Sequence, residues 1–157
     1  MDSGEQCEFV EVRGDGLELQ KYVDLVSSDD AGAIATFSGV TRNEFRGKTV
    51  VKLEYEAYVP MAVAKLKEIC QQIRGKWEVR KIAIAHRTGV VPVRHPSVII
   101  AISSAHRKEA LEATHWAIDE LKATVPIWKK EFFDDGSVWK ENEESRRLYG
   151  VQQKAQS

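Results

Sequence analysis

Val98-Ile99-Ile100-Ala101-Ile102 is an unbroken aliphatic run that passes, without a turn residue, into Ser103-Ser104-Ala105-His106-Arg107. A continuous apolar run, as opposed to an alternating one, marks a strand covered on both faces, so this stretch reads as the central strand of a sheet. From Arg107 onward Leu111, Thr114, Ile118 and Leu121 keep helical spacing as far as Val125, which Pro126 pushes out of helical geometry. Upstream, residues 32–40 read as a second buried strand. Val51, Leu53, Tyr55 and Ala57 alternate with Lys52, Glu54, Glu56 and Tyr58, the period of a half-exposed strand. The segment 43–48, with Gly47, reads as the loop between these two. Pro60 suits the first turn of a helix whose Val63, Leu66, Ile69, Cys70 and Ile73 share one face, ending near Gly75. A further strand is expected at 81–85, and Asp135-Gly136 between 128–133 and 137–141 signals a hairpin. The sum is an α+β domain over residues 9–144, with a mixed sheet and two main helices. It is flanked by a polar N-terminal arm at 1–8 and a charged, Gln-rich tail at 145–157, both expected to fray.

The chain has 157 residues, 43% of them hydrophobic, enough to close one core without disulfides or metal. Its 23 basic and 24 acidic residues leave a formal charge of -1, so no global field gathers nucleic acid or an anionic membrane. Any anion site has to be built locally. No stretch approaches the roughly 20 apolar residues that span a bilayer, and no basic segment precedes an apolar one at the N-terminus. Cys7 and Cys70 make a poor disulfide pair and no metal cluster, which favours a reducing compartment, the cytosol. The four histidines are not spaced as metal ligands, so no metal is expected. His86 and His115 read as structural or exposed, and His95 as turn surface.

Two constellations could carry chemistry. Residues 103–107 lie where a buried strand becomes a helix, so free backbone N–H groups and the helix dipole favour an anion there. His106 and Arg107 add directed donors suited to a phosphate monoester or cyclic phosphate; read from the residues alone, Ser104 could equally cap the helix while the other two are solvated. Lys122, Lys129 and Lys130 surround a short turn with Pro126 and Trp128. Two close ammonium groups depress each other's pKa and make one a better nucleophile or proton carrier, although a lysine at a helix end is also ordinary. Trp128 and Trp139 offer either a stacking surface or hairpin packing. Arg42 stands at a strand end before a loop, where ligand residues often sit.

Taken in order, Thr36-Phe-Ser-Gly-Val-Thr-Arg-Asn43, Leu53-Glu-Tyr-Glu-Ala-Tyr58, Met61-Ala62, His86-Arg-x-Gly89, Ser104-Ala-His-Arg107 and the segment 121–131 resemble the molybdopterin synthase large-subunit family over about two thirds of the chain. The resemblance implies an α/β-hammerhead fold, sulfurtransferase activity in molybdenum cofactor biosynthesis, and no bound cofactor. It implies a homodimer that carries a small ubiquitin-like sulfur-carrier subunit at each end, a heterotetramer in all. The carrier's C-terminal Gly-Gly thiocarboxylate enters the large subunit's pocket and gives sulfur to cyclic pyranopterin monophosphate; two transfers make the dithiolene. By motif, Arg42, His106 and Arg107 would bind the substrate and its phosphate, Lys122 would be the principal catalytic lysine with Lys129 beside it, and Lys130 and Glu131 would line the same pocket. Arg94-His95-Pro96 departs from the family, which usually carries small and acidic residues there. Competing readings are a non-catalytic pterin- or phosphate-binding module and a scaffold for the ubiquitin-like partner.

Arg107 and Lys122 are 122 − 107 = 15 residues apart, which on one straight helix places their Cα atoms about 22 Å apart. One small substrate cannot lean on both from a single chain. The expectation is therefore a site shared across a dimer, with His106 and Arg107 of one protomer serving Lys122 of the other.

Overall fold

The computed structural model describes residues 6–141, so the tail expected at 145–157 and the first five residues of the arm lie outside the described residues. The aliphatic run forms strand β7 (Pro96–Ser104), buried from Ser97 to its end. It is central: β5 (Ile82–Arg87) and β2 (Ala33–Val40) flank it, both antiparallel. On the outer side of β5, β1 (Glu8–Arg13) adds in parallel. The sheet is mixed, in the order β1-β5-β7-β2. β1 starts at Glu8, the last residue of the expected arm, and the reading from sequence had no strand there.

The two faces of this sheet differ in side-chain size, and that difference places the helices. Ile82, Ile84, Ile100 and Ile102 point toward α2 (Val59–Lys76) and α3 (Arg107–Thr124), meeting Leu66, Ile69, Ile73, Ala117 and Leu121. Each isoleucine buried there contributes about 1.5–3 kcal/mol. On the opposite face Ala83, Ala85 and Ala101 leave room for the short α1 (Leu19–Val26) to seat Tyr22 and Val26. The two main helices are those expected, and the third, at eight residues, is too short for periodicity to reveal. Four burial assignments change. β2, expected as a buried strand, has only Ala35 buried, and on β4 Val51 is 53% exposed while Val50 is buried, at an irregularity in the pairing with β8. Leu111 is 58% exposed on the outer face of α3, where Ala110, Ala113, Thr114 and Ala117 form the buried stripe instead. On α2 the stripe begins at Ala62, and Val63 is only half-buried. At the entry to α3 a Cβ on Gly32 would come within 2.7 Å of the Ala105 carbonyl oxygen, so glycine is what lets the chain pass there.

The second sheet is built on β4 (Lys48–Ala57), which pairs with β8 (Ile127–Phe133) along one edge. Its other edge takes β3 (Glu44–Phe45) and then β6 (Gly89–Pro92). β9 (Val138–Glu141) completes the sheet beyond β8. The expected hairpin is β8–β9, turning at Gly136 with φ +86°. The segment expected as a plain loop at 43–48 is a second hairpin, turned by Arg46 (φ 53°) and Gly47 (φ 77°).

Arg94 also lies in the left-handed region, at φ 76°, in a turn closed by the His95 N–H on the Pro92 carbonyl at 3.1 Å. Two further backbone bonds pin it to the end of β2: Arg94 N–H to Thr41 O at 2.9 Å and Thr41 N–H to His95 O at 3.1 Å. A side chain in this conformation costs about 1–2 kcal/mol that glycine avoids. Arg94→Gly is therefore expected to hold or raise the urea unfolding midpoint and Arg94→Val to lower it by about 1 kcal/mol of stability; a glycine variant less stable than the valine one would contradict the strain.

Candidate active site

The two sheets and the C-terminal end of α3 enclose a cavity of about 620 Å³. Its construction follows from how α3 stops. Pro126 ends the helix, the Val125 N–H still reaches Leu121 O at 3.0 Å, and the Ile127 N–H closes a tight turn on Val125 O at 2.8 Å. The chain so reversed becomes β8, and period-two alternation sends Ile127, Lys129 and Glu131 inward. Lys122, exposed on the last turn of α3, and Lys129, half-buried on β8, thus line one cavity from two elements. Arg42, just past β2, and Glu131, only 5% exposed on β8, line it too.

The structure does not bring every predicted residue to this place. Lys130 points to the other face of its strand, where Nζ stands 3.7 Å from Glu56 Oε1 in a partly exposed ion pair, an interaction of small net worth. His106 and Arg107 are exposed at the far end of α3 and line no part of the cavity. α3 is one 18-residue helix, so the separation of about 22 Å between Arg107 and Lys122 stands. Ser104 is fully buried. Its hydroxyl bonds to the His106 carbonyl and accepts the Ala110 N–H at 3.2 Å, while His106 itself holds the N-cap position without a side-chain cap. Trp139 packs against the neighbouring β3–β4 hairpin, its ring centroid 6.3 Å from that of Phe45 and 4.5 Å from the Arg46 guanidinium. Neither it nor Trp128 lines the cavity.

Cations do not act alone in the cavity. Arg42, Lys122 and Lys129 share its wall with Glu44, Asp119 and Glu131, a formal balance of 3 − 3 = 0 with histidine neutral. One chain therefore provides placed cations, not a strong positive field, and an anionic ligand would gain from cations supplied by another chain. The sequence reading passed over Tyr55 and His86, which also face the cavity. Both stand in stretches that carry the family resemblance, and Tyr55 also in the alternating strand, but neither had a site role. His86 closes an otherwise apolar strand, where a buried histidine is most simply structural.

Comparison with known proteins gives four concordant likenesses. A family model described as "MoaE protein" matches residues 12–124, which takes in Arg42, His106, Arg107 and Lys122 but stops before Lys129. A protein of Arabidopsis thaliana named molybdopterin synthase catalytic subunit is 54% identical over 144 residues, covering 90% of this chain and 73% of its own length. Its human namesake is 55% identical over 128 residues, covering 82% of this chain and 68% of its own length. Among solved structures, molybdopterin synthase from Staphylococcus aureus superposes with a TM-score of 0.80 at 36% identity, covering 83% of this chain and 95% of that one.

Proposed function

Since this chain belongs to the MoaE family, we propose that its cavity transfers sulfur from the thiocarboxylated C-terminus of a small carrier protein to cyclic pyranopterin monophosphate, as the catalytic subunit of molybdopterin synthase. The observation that carries this reading is the meeting of Lys122 from α3, Lys129 and Glu131 from β8, and Arg42 from the end of β2 around one cavity of about 620 Å³. That volume lies in the range of small-molecule sites, and an extended Gly-Gly tail has no side chains to exclude it from a narrow entrance. Lys122 and Lys129 are assigned as the catalytic pair. An ammonium can stabilise the charge that develops when the thiocarboxylate sulfur is transferred, and in its neutral form a lysine can accept a proton or an acyl group. Arg42 and Glu131 hold the substrate in the same cavity, and Lys130 supports the strand from the other face.

The phosphate cradle of His106 and Arg107 comes, in this proposal, from a second copy of the chain. The zero formal balance of the cavity and the length of α3 both argue for it. β2 is an edge strand carrying exposed Ile34 and Val40, and beside it α3 exposes Leu111; an open edge with apolar side chains suits a protein neighbour. A homodimer with one carrier at each end, a heterotetramer, satisfies these requirements. A cytosolic location belongs to the same proposal. In its support, no helix among the described residues is long and apolar enough to cross a membrane.

Because the proposed work of His106 and Arg107 is holding phosphate, His106→Ala and Arg107→Ala are expected to weaken binding of the cyclic pterin by about tenfold each, with the rate at saturating substrate less affected. Added salt should weaken wild-type binding, since exposed charge pairs are screened. Calorimetric affinities unchanged in both variants would remove the anion site. The test of the whole reading is reconstitution from purified chain, thiocarboxylated carrier and cyclic pterin. A dithiolene product supports it; pterin binding without product leaves a binding module, and carrier binding alone leaves a scaffold.

A further inference from the structure

The cavity wall holds a hydroxyl that the fold itself does not use. Tyr55 stands on the inward face of β4, where the register sets Leu53 opposite Glu131 and Tyr55 opposite Lys129, and all four residues line the cavity. Glu56, the next residue, turns to the other face and pairs there with Lys130. The Tyr55 ring is anchored through carbon. It packs against the main core and against the smaller cluster of Val50, Leu53 and Phe133, and it meets the His86 ring edge-on, with centroids 5.0 Å apart. The hydroxyl differs from the ring. Among the described residues it bonds to no protein group, and it keeps contact with solvent, unlike the buried Thr41 hydroxyl in the same wall. On the inward face of β4 that solvent is the cavity's. A phenol held in this way is a neutral donor fixed in position, which leaves the formal charge balance at zero and needs no reorganisation to serve a ligand. It stands beside the strand that supplies Lys129, so it serves the part of the ligand on which the lysine pair acts.

Returning the carrier as a carboxylate requires its acyl carbon–sulfur bond to break. With the sulfur already joined to a pterin carbon, water adds to the acyl carbon and the carbonyl electron pair moves onto the acyl oxygen. On collapse the sulfur leaves with the electrons of the broken bond, and the carrier keeps the oxygen of water as its carboxylate. One proton of that water goes to the sulfur and the other to solvent. Charge therefore grows on the acyl oxygen during the step, and a fixed donor aimed there lowers the barrier.

We propose that Tyr55 is a further catalytic residue for sulfur transfer: its hydroxyl donates a hydrogen bond to the carrier's terminal acyl oxygen and holds the charge that grows there as the carbon–sulfur bond breaks. This rests on the sulfur-transfer reading of the cavity. Tyr55→Phe removes the oxygen and leaves every ring contact in place. Since the hydroxyl bonds nothing in the protein, the variant should melt within a few degrees of wild type and bind carrier and cyclic pterin as before. Reconstituted with thiocarboxylated carrier, it should lose about 100-fold in turnover, the scale of one missing oxyanion donor. The loss falls on one step. Intact-mass spectra of the variant reaction should therefore show pterin joined to the carrier through sulfur, a thioester that wild type does not accumulate. Undiminished turnover, or a loss without that thioester, would overturn the proposal. A variant that melts far below wild type would overturn it too, by showing that the hydroxyl supports the fold. If wild type itself makes no dithiolene, the reading of the cavity and this inference fall together; if it does and Tyr55→Phe departs from these results, only the inference falls.

Discussion

Replacing Lys122 with alanine is expected to lower dithiolene formation by about 100-fold or more while leaving the fold and carrier binding intact. The side chain is exposed on the last turn of α3, so its removal opens no void among the buried residues, and a surface substitution of this kind changes stability by about 0.5 kcal/mol or less. Leu121 beside it is 3% exposed and would behave oppositely on truncation, losing fold and activity together. The contrast separates chemistry from stability. Lys122→Arg should not restore turnover, since a guanidinium keeps charge but stays protonated and cannot serve as nucleophile or base. Near-normal turnover in Lys122→Ala, assayed with thiocarboxylated carrier, would withdraw the lysine from the catalytic role.

Mixing two impaired proteins, Lys122→Ala and Arg107→Ala, and assaying at subsaturating cyclic pterin, where each alone keeps about a tenth of wild-type turnover or less, is expected to restore roughly a quarter of wild-type activity once subunits exchange. The argument is geometric. Arg107 opens α3 and Lys122 closes it, about 22 Å apart, and only Lys122 of the two lines the cavity. If each site takes Lys122 from one protomer and Arg107 from its partner, a hybrid dimer has one site carrying both substitutions and one carrying neither. Equal mixing makes about half of the dimers hybrid, each with one working site of two. Light-scattering or mass measurement of exchange is needed alongside the assay. Exchange without recovered activity would place the whole site within one chain.

How far the sequence could be read depended on element length and on whether a residue acts within its own segment. β7 and α3 were legible because eight buried residues in one strand and five turns of one helix each leave a long pattern. β1, α1, β3 and β6 were not: two to eight residues give too few periods, and β1 exists because it pairs with β5, some seventy residues away. Leu111 was misplaced for a related reason, since spacing identifies an apolar face but not the neighbour that covers it. Motif resemblance marked Arg42, Lys122, Lys129 and Glu131, and the structure gathers all four. Lys130 shows the limit of adjacency: one position along a strand turns a side chain to the opposite face. His86 was read as structural or exposed, and that it is buried against Tyr55 in a cavity wall is decided by other strands.

The most direct measurement follows the sulfur itself. With carrier thiocarboxylate labelled at sulfur, purified chain and unlabelled cyclic pterin, the account predicts two labelled sulfurs in each pterin product and a carrier returned to its carboxylate. Pterin without labelled sulfur, from a mixture in which the chain binds both carrier and pterin, would contradict it.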